Sequence, residues 1–220
     1  MVAVIPLRAG SKRLPGKNLR PLLGKPLFSH TIQHARSAGI SRIVVSTDIS
    51  ELFNADLGDD VRIVERPKNL ADDDTPMNRV LEQVLTEEVT DNASIVLLQA
   101  TSPLRDPQDI SKAINLFSEG RHDIVLTVTP ADRGILKWGI SDGDRFMPVS
   151  NPRFCFSNRH QLPDVYRPDG GVYVFNADWF RREKTFERGV IGFIETPLQR
   201  AYDIDTLEDF ELVERALKQV

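Results

Sequence analysis

Short apolar runs without polar alternation recur along the chain, each followed by a polar turn and a stretch with apolar residues at helical spacing. Val2–Leu7 and residues 42–46 and 94–99 read as strands covered on both faces, because a strand with one wet face would alternate. Further strands are expected at 61–64, 123–128, 170–175 and 191–194. Helices are expected at 26–38, closed by Gly39, at 76–85, from the Asp106-Pro107 cap to about 119, and at 206–218. Asp48 is expected to cap another helix through about residue 54. The succession implies an α/β fold with a doubly wound, mostly parallel sheet, whose ligands bind beyond the carboxyl ends of the strands. Asp48, Gln99 and Arg105 follow three separate strands and are expected to converge on one crevice. At 220 residues the chain reads as one domain over 1–220. Residues 130–168, with short polar and aromatic pieces, break the rhythm and read as an inserted arm.

Charge narrows the choice of ligand. With a net charge of −4 the chain is not built for broad nucleic-acid binding, so a highly charged anion has to be held by local cations and metal ions. No apolar stretch approaches the roughly 20 residues of a membrane span. The N-terminal apolar run is short and meets Arg8, unlike an export signal. The single cysteine, Cys155, excludes an intrachain disulfide and suits a reducing compartment, so the expected location is the cytoplasm.

Behind the first strand, residues 8–18 carry Arg8, Lys12, Arg13, Lys17 and Asn18 together with Gly10 and Gly16. Small residues let backbone N–H groups approach an anion while the ammonium and guanidinium heads close on it, so the loop reads as a polyanion grip for a nucleoside triphosphate. It lacks both the Gly-Lys-Ser/Thr ending of a P-loop and the dinucleotide fingerprint.

Near the other end, Asp203-Ile204-Asp205 would place both carboxylates on one side of an extended segment, able to share Mg²⁺. Asp205 is also placed to cap the last helix, with Glu208 completing a capping box, and spacing alone favours that role. Arg167, in Tyr166-Arg167-Pro168-Asp169-Gly170-Gly171, is suited to a bidentate carboxylate contact. The four histidines are dispersed, and only His30 and His34 share a helical face, which argues against a zinc site.

Taken in order, these pieces form a longer pattern: Arg8-x-x-Ser11-Lys12 with Lys17-Asn18, Arg66-Pro67 with Leu70-Ala71, and Leu98-Gln99-Ala100-Thr101-Ser102-Pro103-Leu104-Arg105. Arg159-x-Gln161-Leu162-Pro163, Tyr166-Arg167-Pro168-Asp169-Gly170 and Asp203-Ile204-Asp205-Thr206 complete it. The chain resembles the acylneuraminate cytidylyltransferases, or CMP-sialic acid synthetases, nearly end to end. The resemblance implies a Rossmann-like nucleotidyltransferase fold in which Arg8, Ser11, Lys12 and Lys17 grip the triphosphate of CTP. Leu7, Asn18, Arg66 and the region of Asp74 and Thr75 would lie near the cytidine. Gln99, Lys137 and Arg167 would face a nine-carbon sugar acid. Asp203 and Asp205 would bind Mg²⁺, which reverses the preference for capping, and the arm would serve a homodimer by reaching over the neighbouring sugar pocket.

The implied reaction is attack of the sugar acid's 2-hydroxyl on the α-phosphorus of CTP, with Arg8, Lys12, Lys17, Asp203 and Asp205 as the catalytic set and pyrophosphate leaving. Alternatives are a nucleotidyltransferase for sugar phosphates or an eight-carbon sugar acid, and a non-catalytic nucleotide-binding protein. Three positions depart from the family habit: Leu7 for alanine, Asp169 for asparagine and Gly171 for alanine. Asp169 would add negative charge beside a site for an acid unless it turns away or pairs with an arginine.

Overall fold

The structure is a computed structural model that describes residues 1–72, 74–89 and 91–219. The strands are β1 (Val2–Leu7), β2 (Pro21–Leu22), β3 (Lys25–Pro26), β4 (Ile43–Thr47), β5 (Val61–Glu65), β6 (Ser94–Leu98) and β7 (Ile124–Ala131). They continue with β8 (Gly139–Asp142), β9 (Arg145–Pro148), β10 (Val165–Asn176) and β11 (Ile191–Glu195). The helices are α1 (Leu27–Ser37), α2 (Met77–Glu87), α3 (Pro107–Ser118), α4 (Ala177–Glu183) and α5 (Leu207–Leu217). Seven strands form one sheet in the order β11-β7-β10-β6-β1-β4-β5. Every pairing in it is parallel except those of β10 with β6 and with β7.

Alternate residues of β1 explain why its sequence does not alternate. Ala3, Ile5 and Leu7 pack with Phe28, Ile32 and Ala35 of α1 and Ile110 and Ala113 of α3. Val2 and Val4 pack on the opposite face with Leu81, Val84 and Leu85 of α2 and Phe180 of α4. Both faces are dry, and each fully buried aliphatic side chain contributes about 1.5–3 kcal/mol of hydrophobic stabilisation. The helix ends follow their sequence signals. Gly39 takes φ +81° where α1 stops, with Ile40 N–H bonded back to Ala35 O. The Asp106 carboxylate accepts from Gln108 N–H ahead of Pro107 at the start of α3.

A third cluster lies at the carboxyl edge of the sheet. Leu14 of the basic loop packs there with Leu22, Leu27, Ile204, Phe210 and Val213. This apolar contact joins the first twenty or so residues to the last helix and fixes the loop against the Asp203–Asp205 segment.

Three local expectations change. The helix expected after Asp48 is a 3-10 turn, Ser50–Leu52, without a side-chain cap, and the Asp48 carboxylate instead accepts Ala9 N–H at 2.7 Å. A capping side chain with a better partner in the basic loop leaves the turn to end quickly. The last helix is capped by Thr206 and Asp209, whose carboxylate accepts from Thr206 N–H at 2.7 Å and Asp205 N–H at 3.1 Å. Pro130 and Val165–Pro168 belong to β7 and β10, so the irregular insertion runs between those strands and carries the β8–β9 hairpin.

Candidate active site

Alternation in the 203–205 segment separates core from cleft. Ile204 is fully buried and its N–H is bonded to Thr101 O at 2.8 Å. The flanking Asp203 and Asp205 line a cavity of about 200 Å³ at the carboxyl ends of β1 and β6. With the capping done by Thr206 and Asp209, the start of the last helix takes up neither carboxylate.

Lys17 of the basic loop reaches one of them, Asp205. Its side chain, 12% exposed, donates to Ile204 O at 2.8 Å and to Asp205 Oδ1 at 3.0 Å. The other Asp205 oxygen pairs with Arg13 at 2.7 Å, through a guanidinium that is largely exposed. Asp203 accepts a hydrogen bond from Thr101, yet its carboxyl lies above the ordinary 3.8 because burial, and then the neighbouring Asp205, disfavour its charge.

Arg8, Asn18, Arg66 and Gln99 line the same cavity. Asn18 donates to Arg8 O at 2.9 Å, which fixes the fold of the loop. Arg66 follows β5 and is tied to the end of β4 by bonds to Ser46 O at 2.9 Å and Ser46 Oγ at 3.3 Å. Burial lowers it to about 10, with Asp48 opposing the shift and Arg8 adding to it, so it stays a cation at neutral pH. Lys12 and Thr75 line a second cavity of about 530 Å³. The two cavities are bordered by consecutive residues at the start of α2, Pro76 and Met77.

The remaining expected residues fall elsewhere. Leu7 is buried in the core at the end of β1, where it pairs with Thr47 and lines neither cavity. Ser11 is partly exposed within the loop. Lys137, in a 3-10 turn of the arm, and Arg167, exposed on β10, border neither cavity. Arg105 does not open into the cleft as expected, because its guanidinium turns inward to Gly171 O and Gln99 O. Asp169 also turns inward, accepting from Thr127 Oγ at 2.5 Å, Gly171 N–H at 2.8 Å and Thr196 Oγ at 2.6 Å. Its charge therefore faces the interior rather than an incoming acid.

Sequence reasoning passed over three groups. Arg13 was only one cation among several in its loop. Thr101 lies in the quoted run after β6, but a lone threonine carries no signal of its partner Asp203. The Tyr173 hydroxyl is raised by burial and then by the charges of Asp169 and Asp203. Its apolar neighbours Val172 and Val174 made it read as core.

Basic-loop cations and a carboxylate pair facing each other at the strand ends of a doubly wound sheet are the features of a nucleotidyltransferase. The cytidylyltransferase family matches residues 2–138, and the chain belongs to it. It is 32% identical over 215 residues to an N-acylneuraminate cytidylyltransferase of Streptococcus agalactiae, covering 95% of this chain and 51% of that protein. The chain thus spans about half the length of that relative. It is 30% identical to a CMP-N,N'-diacetyllegionaminic acid synthase of Legionella pneumophila, covering 99% of this chain and 96% of the relative. A solved CMP:2-keto-3-deoxy-manno-octonic acid synthetase complexed with CTP shares the fold, with a TM-score of 0.72, 20% identity and coverage of 99% and 98%.

Proposed function

We propose that this protein transfers CMP from CTP to the 2-hydroxyl of a nonulosonic, sialic-acid-like sugar acid and releases pyrophosphate. The observation that carries the reading is Lys17, which spans the cleft between the basic loop and the aspartate pair. A triphosphate entering there meets cations on one wall and carboxylates on the other. Arg8, Lys12 and Lys17, with Ser11 and the loop N–H groups, would hold the phosphate oxygens and stabilise the departing pyrophosphate. Leu7, Asn18, Arg66 and Thr75 would border the cytidine, and Gln99 the sugar acid.

Asp203 and Asp205 fit an oxygen-preferring dication. They form a pair whose mutual repulsion a cation relieves. Mg²⁺ bound there with the triphosphate would neutralise phosphate charge and lower the cost of ionising the attacking hydroxyl. Arg13 pairs with Asp205 in this structure and would exchange that partner for phosphate oxygens.

Lys137 fits the reading through a homodimer, while Arg167, on β10, would face the sugar acid from its own chain's sheet. The arm exposes Trp138 and Phe156, at 65% and 91%, together with Ile140 and Phe146. Such a patch suits burial against a second copy, which would bring the arm residues to a neighbouring cleft. No helix among the described residues is long and apolar enough to cross a membrane. The proposed compartment is the cytoplasm, where CTP is supplied and a lone thiol such as Cys155 stays reduced.

The test is release of pyrophosphate from CTP and Mg²⁺ over sialic, legionaminic and pseudaminic acids, an eight-carbon sugar acid and aldose 1-phosphates. Turnover with a nine-carbon acid is expected. Turnover with an aldose 1-phosphate alone, or with nothing, refutes the assignment.

A further inference from the structure

Behind the cleft, Arg105 occupies the loop between β6 and α3 and is buried. Its Nε donates to Gly171 O at 2.7 Å and its Nη2 to Gln99 O at 2.5 Å. One planar, rigid group therefore joins the end of β6, where Gln99 enters the cleft, to the part of β10 that follows Arg167. The register of β10 against β7 shifts between Pro168 and Tyr173, and Gly170 there adopts φ +76°. A bulge of this kind re-aims the side chains beside it and needs an anchor to keep one geometry.

The anchor is costly as an isolated charge and is balanced by a carboxylate. Burial lowers Arg105 to about 10, and Asp169 opposes that shift, so the guanidinium remains protonated at neutral pH. Asp169 is itself fixed by Thr127, Thr196 and the N–H of Gly171. The third guanidinium nitrogen, Nη1, has no partner among the described residues. Arg105 borders an interior cavity of about 10 Å³, the size of one water, which Ser102 and Asp109 also line. Gly171 completes the fit, because a Cβ there would lie 3.0 Å from both Asp169 Oδ1 and Thr127 Oγ1.

We propose that Arg105 is a positioning residue, which sets where Gln99 and Arg167 stand relative to the sugar acid by clamping the end of β6 to the β10 bulge. The proposal rests on the sugar-acid reading above. It predicts damage confined to the acceptor side, since the guanidinium of Arg105 is bonded to the carbonyls of Gln99 and Gly171.

The experiment compares the Arg105→Lys and Gly171→Val variants with the parent. Lysine keeps the charge but cannot span two carbonyls with a planar fork. Valine at 171, bulkier than the alanine the family often carries there, crowds Asp169 and Thr127 at the far end of the clamp and leaves Arg105 in place. Both are expected to raise KM for the sugar acid about tenfold while KM for CTP moves less than about twofold. An unchanged sugar KM, or equal rises in both constants, overturns the proposal. Should Arg105→Lys not fold, Gly171→Val decides on the same criterion. Should the parent turn over no nonulosonic acid, the functional reading fails by itself, and amide hydrogen exchange decides on the clamp. Faster exchange in Gly171→Val at residues 99–101 and 170–173, with residues 8–18 unchanged, supports it; a uniform change or none refutes it.

Discussion

Lys17 and Asp205 meet across the cleft at 3.0 Å, and the same ammonium holds Ile204 O at 2.8 Å. One side chain thereby measures the distance between the two ends of the sequence. In the proposed reaction it belongs to the phosphate grip and touches one of the two carboxylates. Lys17→Ala is expected to lower kcat about 10²–10³-fold, the range for loss of one preorganised charge donor. The fold should survive at a cost of a few kcal/mol, because two hydrogen bonds made by a charged group are lost, each worth about 1.5–3 kcal/mol. Steady-state kinetics beside a thermal melt checks both, and a variant with parental kcat removes Lys17 from the catalytic set.

Asp203 gives a prediction with a sign. Its carboxyl is raised by burial, so the folded protein holds that proton more tightly than the unfolded chain. Stability from this group is therefore lost as pH rises from the ordinary value of 3.8 through the raised one, and the cost is fully present at neutral pH. Asp203→Asn should raise Tm at pH 7 relative to the parent and lose that advantage as the pH falls below the carboxylate range. Activity should fall at the same time. A lower Tm at pH 7 would show that the carboxylate is stabilising there.

The metal reading separates from that pH effect in a melt with CTP. A dication that binds the folded site adds stability in proportion to the logarithm of its concentration over Kd. Mg²⁺ with CTP should raise Tm of the parent well beyond CTP alone, and chelation should reverse the gain. In Asp205→Asn the increment from Mg²⁺ should largely vanish. An undiminished increment in that variant would mean that the cation is held by the nucleotide without Asp205.

The sheet and most helices were legible because dry strands and capped helices leave strong local patterns. The unbroken apolar run of β1 and the Asp106-Pro107 start of α3 are examples. Facing of the loop and the aspartates was legible only through the order of motifs, since it depends on Leu14 meeting Ile204 across the whole chain. Inward turns of Arg105 and Asp169 left no local signal. A buried arginine and an exposed one look alike until the carbonyls of Gln99 and Gly171 are in place. Asp48 was misread for a related reason: its better partner, Ala9 N–H, lies on another strand's loop.

Asp169 should not decide which acid is accepted, because its carboxylate faces Thr127 and Thr196. Asp169→Asn preserves an acceptor for Gly171 N–H and should keep the parental ranking across a panel of sugar acids. Asp169→Ala leaves inward-facing donors unpaired and should cost about 1–3 kcal/mol of stability, read by denaturant unfolding. A changed ranking in Asp169→Asn would mean that its charge acts on the acceptor pocket, directly or through Arg105.

The arm ties assembly to activity. Trp138 and Phe156 are exposed on the same insertion that carries Lys137, while Lys137 borders neither cavity of its own cleft. If a second copy covers this face, a charge placed there is desolvated on association and disfavours the dimer. Trp138→Asp should shift the protein towards monomer in light scattering. CTP binding should survive, because Arg8, Lys17 and Arg66 reside in one chain's own cleft. Sugar-acid turnover should fall with the dimer fraction and recover partly at high protein concentration, as mass action requires. A monomeric variant with full turnover would sever the arm from the acceptor site and return Lys137 to a structural role.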